Sequence, residues 1–181
     1  MEGLIIDAGI MGIRPLPQNS FSTGFDHRGP SKKGKLFSEE AETDKRLVRN
    51  EKSVICQPSS HLEATMIKSA AEFKFMGRKT FRDLFKAGVF VLPTLIPHLN
   101  QNYAIDKQAV VVSRARIIRC RPRFDEWSLE FQIQIFDDRI EPLVVKQVIE
   151  NAGKYHGIGD FRPRYGLFKL TKFETVDGIV V

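Results

Sequence analysis

Two stretches carry residue types that can do chemistry. The first is residues 153–165, GKYHGIGDFRPRY, with Gly153, Gly157 and Gly159 inside seven residues, followed by Arg162, Arg164 and Tyr165. Glycine admits positive φ and a close approach by another backbone or by a ligand. Guanidinium groups beside an aromatic ring suit phosphate and base contacts. The plainer use of the same residues is a helix C-cap, a turn and a strand start with solvated arginines. The second stretch is residues 109–123, AVVVSRARIIRCRPR. Arg114 and Arg116 alternate with Ala115 and Ile117, as on a strand with one polar face; Arg119, Arg121 and Arg123 continue at the opposite parity. A one-residue β-bulge at Ile117 and Ile118 would bring all five arginines to one face. A strand that twists its charge from one face to the other, or two separate strands, would divide them. Such a row repels itself unless phosphates or carboxylates neutralise it, and arginine is the side chain shaped to grip phosphate through two bonds. No acid lies between Arg114 and Arg123; Asp125, Glu126, Glu130, Asp137 and Asp138 follow and could pair from a next strand. Binding of a polyanion is the preferred reading.

Other cations join this surface in the same reading: Lys32, Lys33 and Lys35 in a Gly/Ser/Pro-rich segment, and Arg78 and Lys79 before a short helix. Catalysis is not expected. No Ser or Cys is convincingly paired with a His. One alternative is RNA cleavage without a metal, with His156 or His61 as general base; another is a phage structural or interaction protein whose basic strand meets other proteins. Asp160, Asp137 and Asp138 offer carboxylates, but the Asp pair more simply favours a helix N-terminus. The four histidines are scattered and no CxxC occurs, so neither a metal nor a cofactor is expected. The loop sequence GIGDFR follows a helix rather than a strand and is no dinucleotide fingerprint, and P-loop spacing is absent.

The elements that must position these residues follow from periodicity. The chain has 181 residues, 42% of them apolar, and a formal charge of +6, which favours polyanion partners without requiring one. Residues 4–13 allow a short strand, residues 17–37 read as a loop or arm, and Ser38 starts a short helix. Residues 53–57 read as a strand. In the helix that follows, Ser60 and Glu63 form a capping box and Leu62, Met66, Ala70 and Phe73 one apolar face. A second helix has Thr80 as N-cap and Gly88 as stop, residues 89–92 form a strand, and residues 94–107 are mostly loop. Residues 128–136 alternate as the antiparallel partner of the arginine strand. The last helix has Pro142 in its first turn and Gly153 at its C-terminal stop, before a final strand at residues 165–174. The order fits an α+β fold with a ferredoxin-like, modified RRM core (βαββαβ), an N-terminal arm and insertions. Its first strand is either residues 4–13 or residues 53–57. Residues 1–50 are taken as the arm and residues 51–181 as the domain. Cys56 and Cys120 read as buried thiols of a reducing, cytoplasmic compartment. No apolar run reaches membrane-spanning length.

The phrase SVICQPSSHLEATMIKSAA resembles the strand, Pro-Ser-Ser turn and first long helix of the RAMP superfamily of CRISPR effector proteins. The phrase GKYHGIGDFRPRYGLF resembles the glycine-rich loop and final strand of that superfamily. The likeness spans residues 53–75 and 109–174, and the guide-RNA-binding, filament-forming backbone subunits are the nearest functional type; a relative carried by a mobile element fits as well. The resemblance implies single-stranded RNA as ligand, with copies of the same chain and other effector subunits as partners. It places Gly157, Gly159, Arg162 and Arg164 in the glycine-rich loop and Ser59, Ser60 and His61 at the helix start. It offers no motif for the arginine strand. Some RAMP endoribonucleases use a histidine, which is the ground for the alternative role of His156 and His61. The chain is short for a backbone subunit.

Overall fold

The computed structural model describes residues 3–20, 38–112 and 115–176. Lys32, Lys33, Lys35 and Arg114 lie outside the described residues. The elements in chain order are β1 (Leu4–Gly12), β2 (Leu16–Pro17), α1 (Glu39–Asp44), β3 (Cys56–Pro58), α2 (Ser59–Ala70), β4 (Lys74–Met76) and β5 (Lys79–Thr80). There follow α3 (Arg82–Gly88), β6 (Val89–Leu92), β7 (Leu95–Pro97), β8 (Ala104–Val112), β9 (Ala115–Phe124), β10 (Ser128–Ile135), α4 (Pro142–Asn151), a π-helical turn (Ala152–His156) and β11 (Phe168–Val176). The protein is mixed α+β with antiparallel sheets. Among the described residues no helix is long and apolar enough to cross a membrane.

Alternation decides the main sheet. Ile6, Ala8 and Ile10 of β1 point to one side and are buried, as are Leu129, Phe131, Ile133 and Ile135 of β10. These strands pair antiparallel with Ile6 opposite Ile133 and Ala8 opposite Phe131. β11 flanks β1 and β6 flanks β10, giving the order β11-β1-β10-β6. The sheet's buried side packs on α2 through Leu62, Met66 and Ala70 and on α4 through Val145, Val148 and Ile149. The two helices are tied where Ser69 Oγ donates to the Val148 carbonyl at 2.9 Å. The strand of residues 4–13 is therefore an inner strand of the sheet, so the core draws chain from both sides of residue 50. A second sheet, β2-β9-β8, carries the arginine strand, and the pairs β3-β7 and β4-β5 complete the set.

Five local expectations are corrected. The stretch 94–107 is not mostly loop: it holds β7 and the start of β8. The arginine strand does not pair with Ser128–Ile135; β9 pairs with β8, while β10 pairs with β1 and β6. Past Phe124 the chain leaves the second sheet, and Trp127, 2% exposed, packs against Gly12 of β1 and Phe168 of β11, its Nε1 donating to the Arg14 carbonyl at 2.8 Å. The Ser60–Glu63 capping box does not form: Pro58 occupies the N-cap, and Glu63 instead accepts from the Val91 amide at 3.0 Å, tying α2 to β6. Thr80 lies in β5, and Phe81 is the N-cap of α3. Gly153 does not stop α4. The helix continues as the π-helical turn and ends at Gly157, φ +68°. Gly153 serves close packing instead, since a Cβ there would sit 2.4 Å from the Phe168 carbonyl oxygen.

Candidate nucleic-acid interface

The arginines of β9 are largely spoken for. Asp106 of β8 stands directly opposite Arg121 in the pairing. Arg121 Nε reaches Asp106 Oδ2 at 2.9 Å and its Nη1 reaches Asp160 Oδ2 at 2.7 Å. Its guanidinium lies 4.4 Å from the centre of the Phe161 ring. The side chain is 7% exposed, so this residue is a buried clamp between the second sheet and the glycine loop rather than a phosphate finger. Arg123 pairs with Asp125 at 2.8 Å and with Asp106 at 3.7 Å, and the Asp125 hydrogen bond holds its guanidinium still further above the usual range. Arg119 pairs with Glu42 of α1 at 3.2 Å. The β8–β9 register runs unbroken from Val112–Ala115 to Ala104–Arg123, so no bulge occurs at Ile117 and Ile118. Positions 119, 121 and 123 thus share one parity, which position 116 does not, and the bulge that would have realigned them is absent. Among the described residues, Asp125 is the one of the acids expected to neutralise them that does so; Asp106, Asp160 and Glu42 come from a preceding strand, a distant loop and a helix. Asp137 is engaged by Arg139, whose hydrogen bonds hold its carboxyl down to about 2.

The glycine loop is shaped by its own chain. Gly159 has φ +78°, and a Cβ there would meet Leu16 Cδ1 at 2.4 Å and the Pro17 carbonyl oxygen at 2.9 Å. At Gly157 the neighbour is the Gly166 carbonyl oxygen, 2.9 Å from a Cβ. The close approach expected for a ligand is made instead by residues 16–17 and 165–166. The loop is fastened to α2 by Thr65, whose Oγ1 donates to the Gly157 carbonyl at 2.8 Å, and to the second sheet by the Asp160–Arg121 pair. Held at both ends, it presents Phe161, Arg162 and Arg164 outward, with Tyr165 half-buried.

A pocket of about 170 Å³ opens between α2 and this loop, lined by Lys68, Tyr155, His156, Arg162 and Pro163. His61, Thr65 and Lys68 follow one another at spacings of four and three, which sets them along one side of α2, and Glu72 lies in the turn just past its end. His156 Nε2 lies 2.8 Å from Glu72 Oε1, an electrostatic contact without a well-aligned hydrogen bond. Glu72 is steadied by Asn151, whose Nδ2 donates to its Oε2 at 2.8 Å and lowers its carboxyl below the usual range, with His156 adding to the effect. His61 is bonded through Nδ1 to the Gln57 amide. Burial, and then the charge of Arg162, keep it less basic than an exposed imidazole. The structure thus gathers His61, His156 and Arg162 around one site. Arg78 and Lys79 belong to the separate β4–β5 hairpin, and no hydrogen bond or ion pair joins them to the loop among the described residues. Lys68, Tyr155, Lys154 and Glu72 are additions to the expected set. The signal for Lys68 was its place off the apolar stripe of α2, on the side shared with His61.

Among the described residues Lys68, Lys154, Arg162 and Arg164 pair with no carboxylate. With them stand two exposed rings, Tyr155 and Phe161, each 54% accessible. The open side of the main sheet is different in character: its concavity is lined by Asp7, Glu130, Gln132 and Lys172, among others. No cluster of three or more His, Cys, Asp or Glu suited to a metal occurs among the described residues. Cys56 and Cys120 are buried free thiols, both made less acidic by burial. No protein-family model matches this chain, and no curated protein matches its sequence.

Proposed function

We propose that this chain is a non-catalytic subunit that binds single-stranded RNA within a multi-subunit, CRISPR-type ribonucleoprotein. One observation carries the reading. Once the internal ion pairs among the described residues are drawn, the cations left there without a carboxylate include Lys68, Lys154, Arg162 and Arg164, which gather at the glycine loop beside the exposed rings of Tyr155 and Phe161. Cations tracking a backbone, with rings for bases to stack on, are what a single strand needs. Two further points support it. The order β11-β1-β10-β6, with α2 and α4 on one side, supports a ferredoxin-like βαββαβ core in this reading. The loop and the start of α2 also coincide with the two phrases that resemble the RAMP superfamily. In this reading β9 does not grip RNA through Arg121; it holds the loop that does. Arg162→Glu with Arg164→Glu should abolish binding of a single-stranded RNA in a fluorescence anisotropy titration. Unchanged affinity in the folded double variant would sink the assignment.

A second reading rests on His156 standing beside Lys68 and Arg162 in the pocket. It is a metal-independent endoribonuclease, with His156 or His61 moving the proton of a ribose hydroxyl. Cleavage of labelled RNA in EDTA, lost in His156→Ala, would favour it over the binding role.

A further inference from the structure

We infer that His61 is a fixed neutral hydrogen-bond donor: Gln57 holds its single proton on Nε2, and that N–H meets an acceptor oxygen of RNA lying against the glycine loop. The ligand half rests on the RNA-binding reading; the proton assignment stands without it. Backbone groups set the polarity of a relay that ends at the ring. The Val48 amide can only donate, and it reaches Gln18 Oε1 at 2.9 Å. The Cys56 carbonyl can only accept, and Gln18 Nε2 reaches it at 2.8 Å. The oxygen and nitrogen ends of Gln18 are thereby fixed. Its second N–H faces Gln57 at 3.4 Å, so the atom there is Oε1. The Nε2 end of Gln57 then faces His61 Nδ1. A ring nitrogen that receives an N–H carries no proton of its own, so the proton of the neutral imidazole sits on Nε2. Gln18 and Gln57 are 2% and 0% exposed, so water does not compete along the relay.

The ring stands where this proton can be used. His61 comes one helical turn before Thr65, whose Oγ1 donates to the Gly157 carbonyl at 2.8 Å, so both lie on the side of α2 that carries the glycine loop. Gly159 of the loop is seated on Leu16 and Pro17, next to Gln18 at the head of the relay. His61 is half-buried, and no hydrogen bond holds its Nε2 among the described residues. The Nε2 of His156 and both nitrogens of His98 are sealed from solvent; the Nε2 of His61 is not. With Nδ1 occupied and Nε2 protonated, the ring has no lone pair to offer, which removes His61 as a general base for RNA cleavage. What it presents is one N–H in a fixed direction. A phosphate oxygen accepts such a bond, and so does a carbonyl oxygen of uracil; adenine has no carbonyl.

The test uses the full chain. At a pH of about 8, above the ordinary histidine range, the ¹⁵N spectrum of the free wild type should show His61 Nδ1 as an unprotonated nitrogen and Nε2 as a protonated one. In Gln57→Glu, whose carboxylate can only accept, Nδ1 should become a protonated nitrogen. An unprotonated Nε2 in the wild type, or a ring unchanged in Gln57→Glu, overturns the assignment whatever RNA does. The ligand half is read with oligouridylate and oligoadenylate of equal length. In wild-type protein, where no variant has to fold, the Nε2 resonance should move as RNA is added. His61→Phe should bind about fivefold more weakly, the value of one neutral hydrogen bond. A loss with both RNAs identifies the acceptor as a phosphate oxygen; a loss with oligouridylate alone identifies a base carbonyl. Equal affinity of wild type and His61→Phe with a silent Nε2 removes His61 from the ligand and leaves the RNA-binding reading standing. No binding of either RNA overturns that reading and the contact together, while the proton assignment is still decided by the free protein.

Discussion

Replacing Arg121 with methionine should destabilise the protein by about 3 kcal/mol, because Arg121 neutralises a buried carboxylate rather than greeting a ligand. Methionine keeps most of the volume of the aliphatic stem and removes the charge. Asp160, whose side chain is 38% exposed, can be solvated again. Asp106 cannot: it is 8% exposed and is left with the Gln108 amide at 3.2 Å and Arg123 at 3.7 Å. Breaking a buried pair from one side costs about 3–5 kcal/mol, and the two remaining partners place this case at the lower end. The contact of the guanidinium with Phe161 is lost as well. Urea unfolding of the wild type, Arg121→Met and the double variant Arg121→Met/Asp106→Leu measures it. The double variant should regain most of the loss, since the stranded charge has gone and Arg123 keeps Asp125. A single-variant loss under about 1 kcal/mol, or a double variant no better than the single, would refute the reasoning.

Three further outcomes follow from the structure. His98 is 3% exposed, stacks on Phe124 with ring centres 4.4 Å apart, and burial holds it at about 4 against 6.5 for an exposed imidazole. The unfolded chain therefore takes up the proton first. The stability from the neutral ring is complete above 6.5 and is lost as pH falls towards 4, about 3 kcal/mol in all. The stability difference between wild type and His98→Phe should shift by that order between pH 7 and pH 4, and a pH-independent difference would exclude it. Gly159→Ala forces a side chain into φ +78° and against Leu16 and the Pro17 carbonyl. Calorimetry should show a loss of about 2–3 kcal/mol, and an unchanged melting temperature would contradict the packing described. Tyr155→Ala should weaken single-stranded RNA by about five- to a hundredfold, the value of one stacked base, without altering stability; equal affinity would remove Tyr155 from the interface.

Much of the scaffold could be read from periodicity, and the site only in part. Alternation in Ser128–Ile135 named the buried side of β10, and the spacing of Leu62, Met66 and Ala70 named that of α2. Pro142 does open α4, with Val145, Val148 and Ile149 inward. The arginine strand misled because its neutralising groups are remote. Asp106 lies in a stretch broken by polar residues that reads as loop, and Asp160 lies 39 residues away from Arg121 in a loop. Cross-strand pairing and loop docking bring them together, and neither leaves a local mark. The glycines were recognised as sites of close approach, but sequence does not say what approaches; here it is Leu16, Pro17 and the carbonyl of Gly166. Gly153 was a natural helix stop by type, yet the π-helical turn carries the chain on to Gly157, and glycine stands at 153 because Phe168 leaves no room for a larger residue.

The measurement that bears most directly on the proposed function is fluorescence anisotropy of the full chain with a labelled single-stranded RNA, the matching DNA and the RNA duplex across a range of salt. The account expects preference for the single-stranded RNA. The logarithm of its affinity should fall against that of salt with a slope of about −3, for four phosphate contacts by Lys68, Lys154, Arg162 and Arg164. Removing two of these charges without reversing them, in Arg162→Ala/Arg164→Ala, should flatten the slope. No binding to any of the three at low salt, or binding that ignores salt, would contradict it.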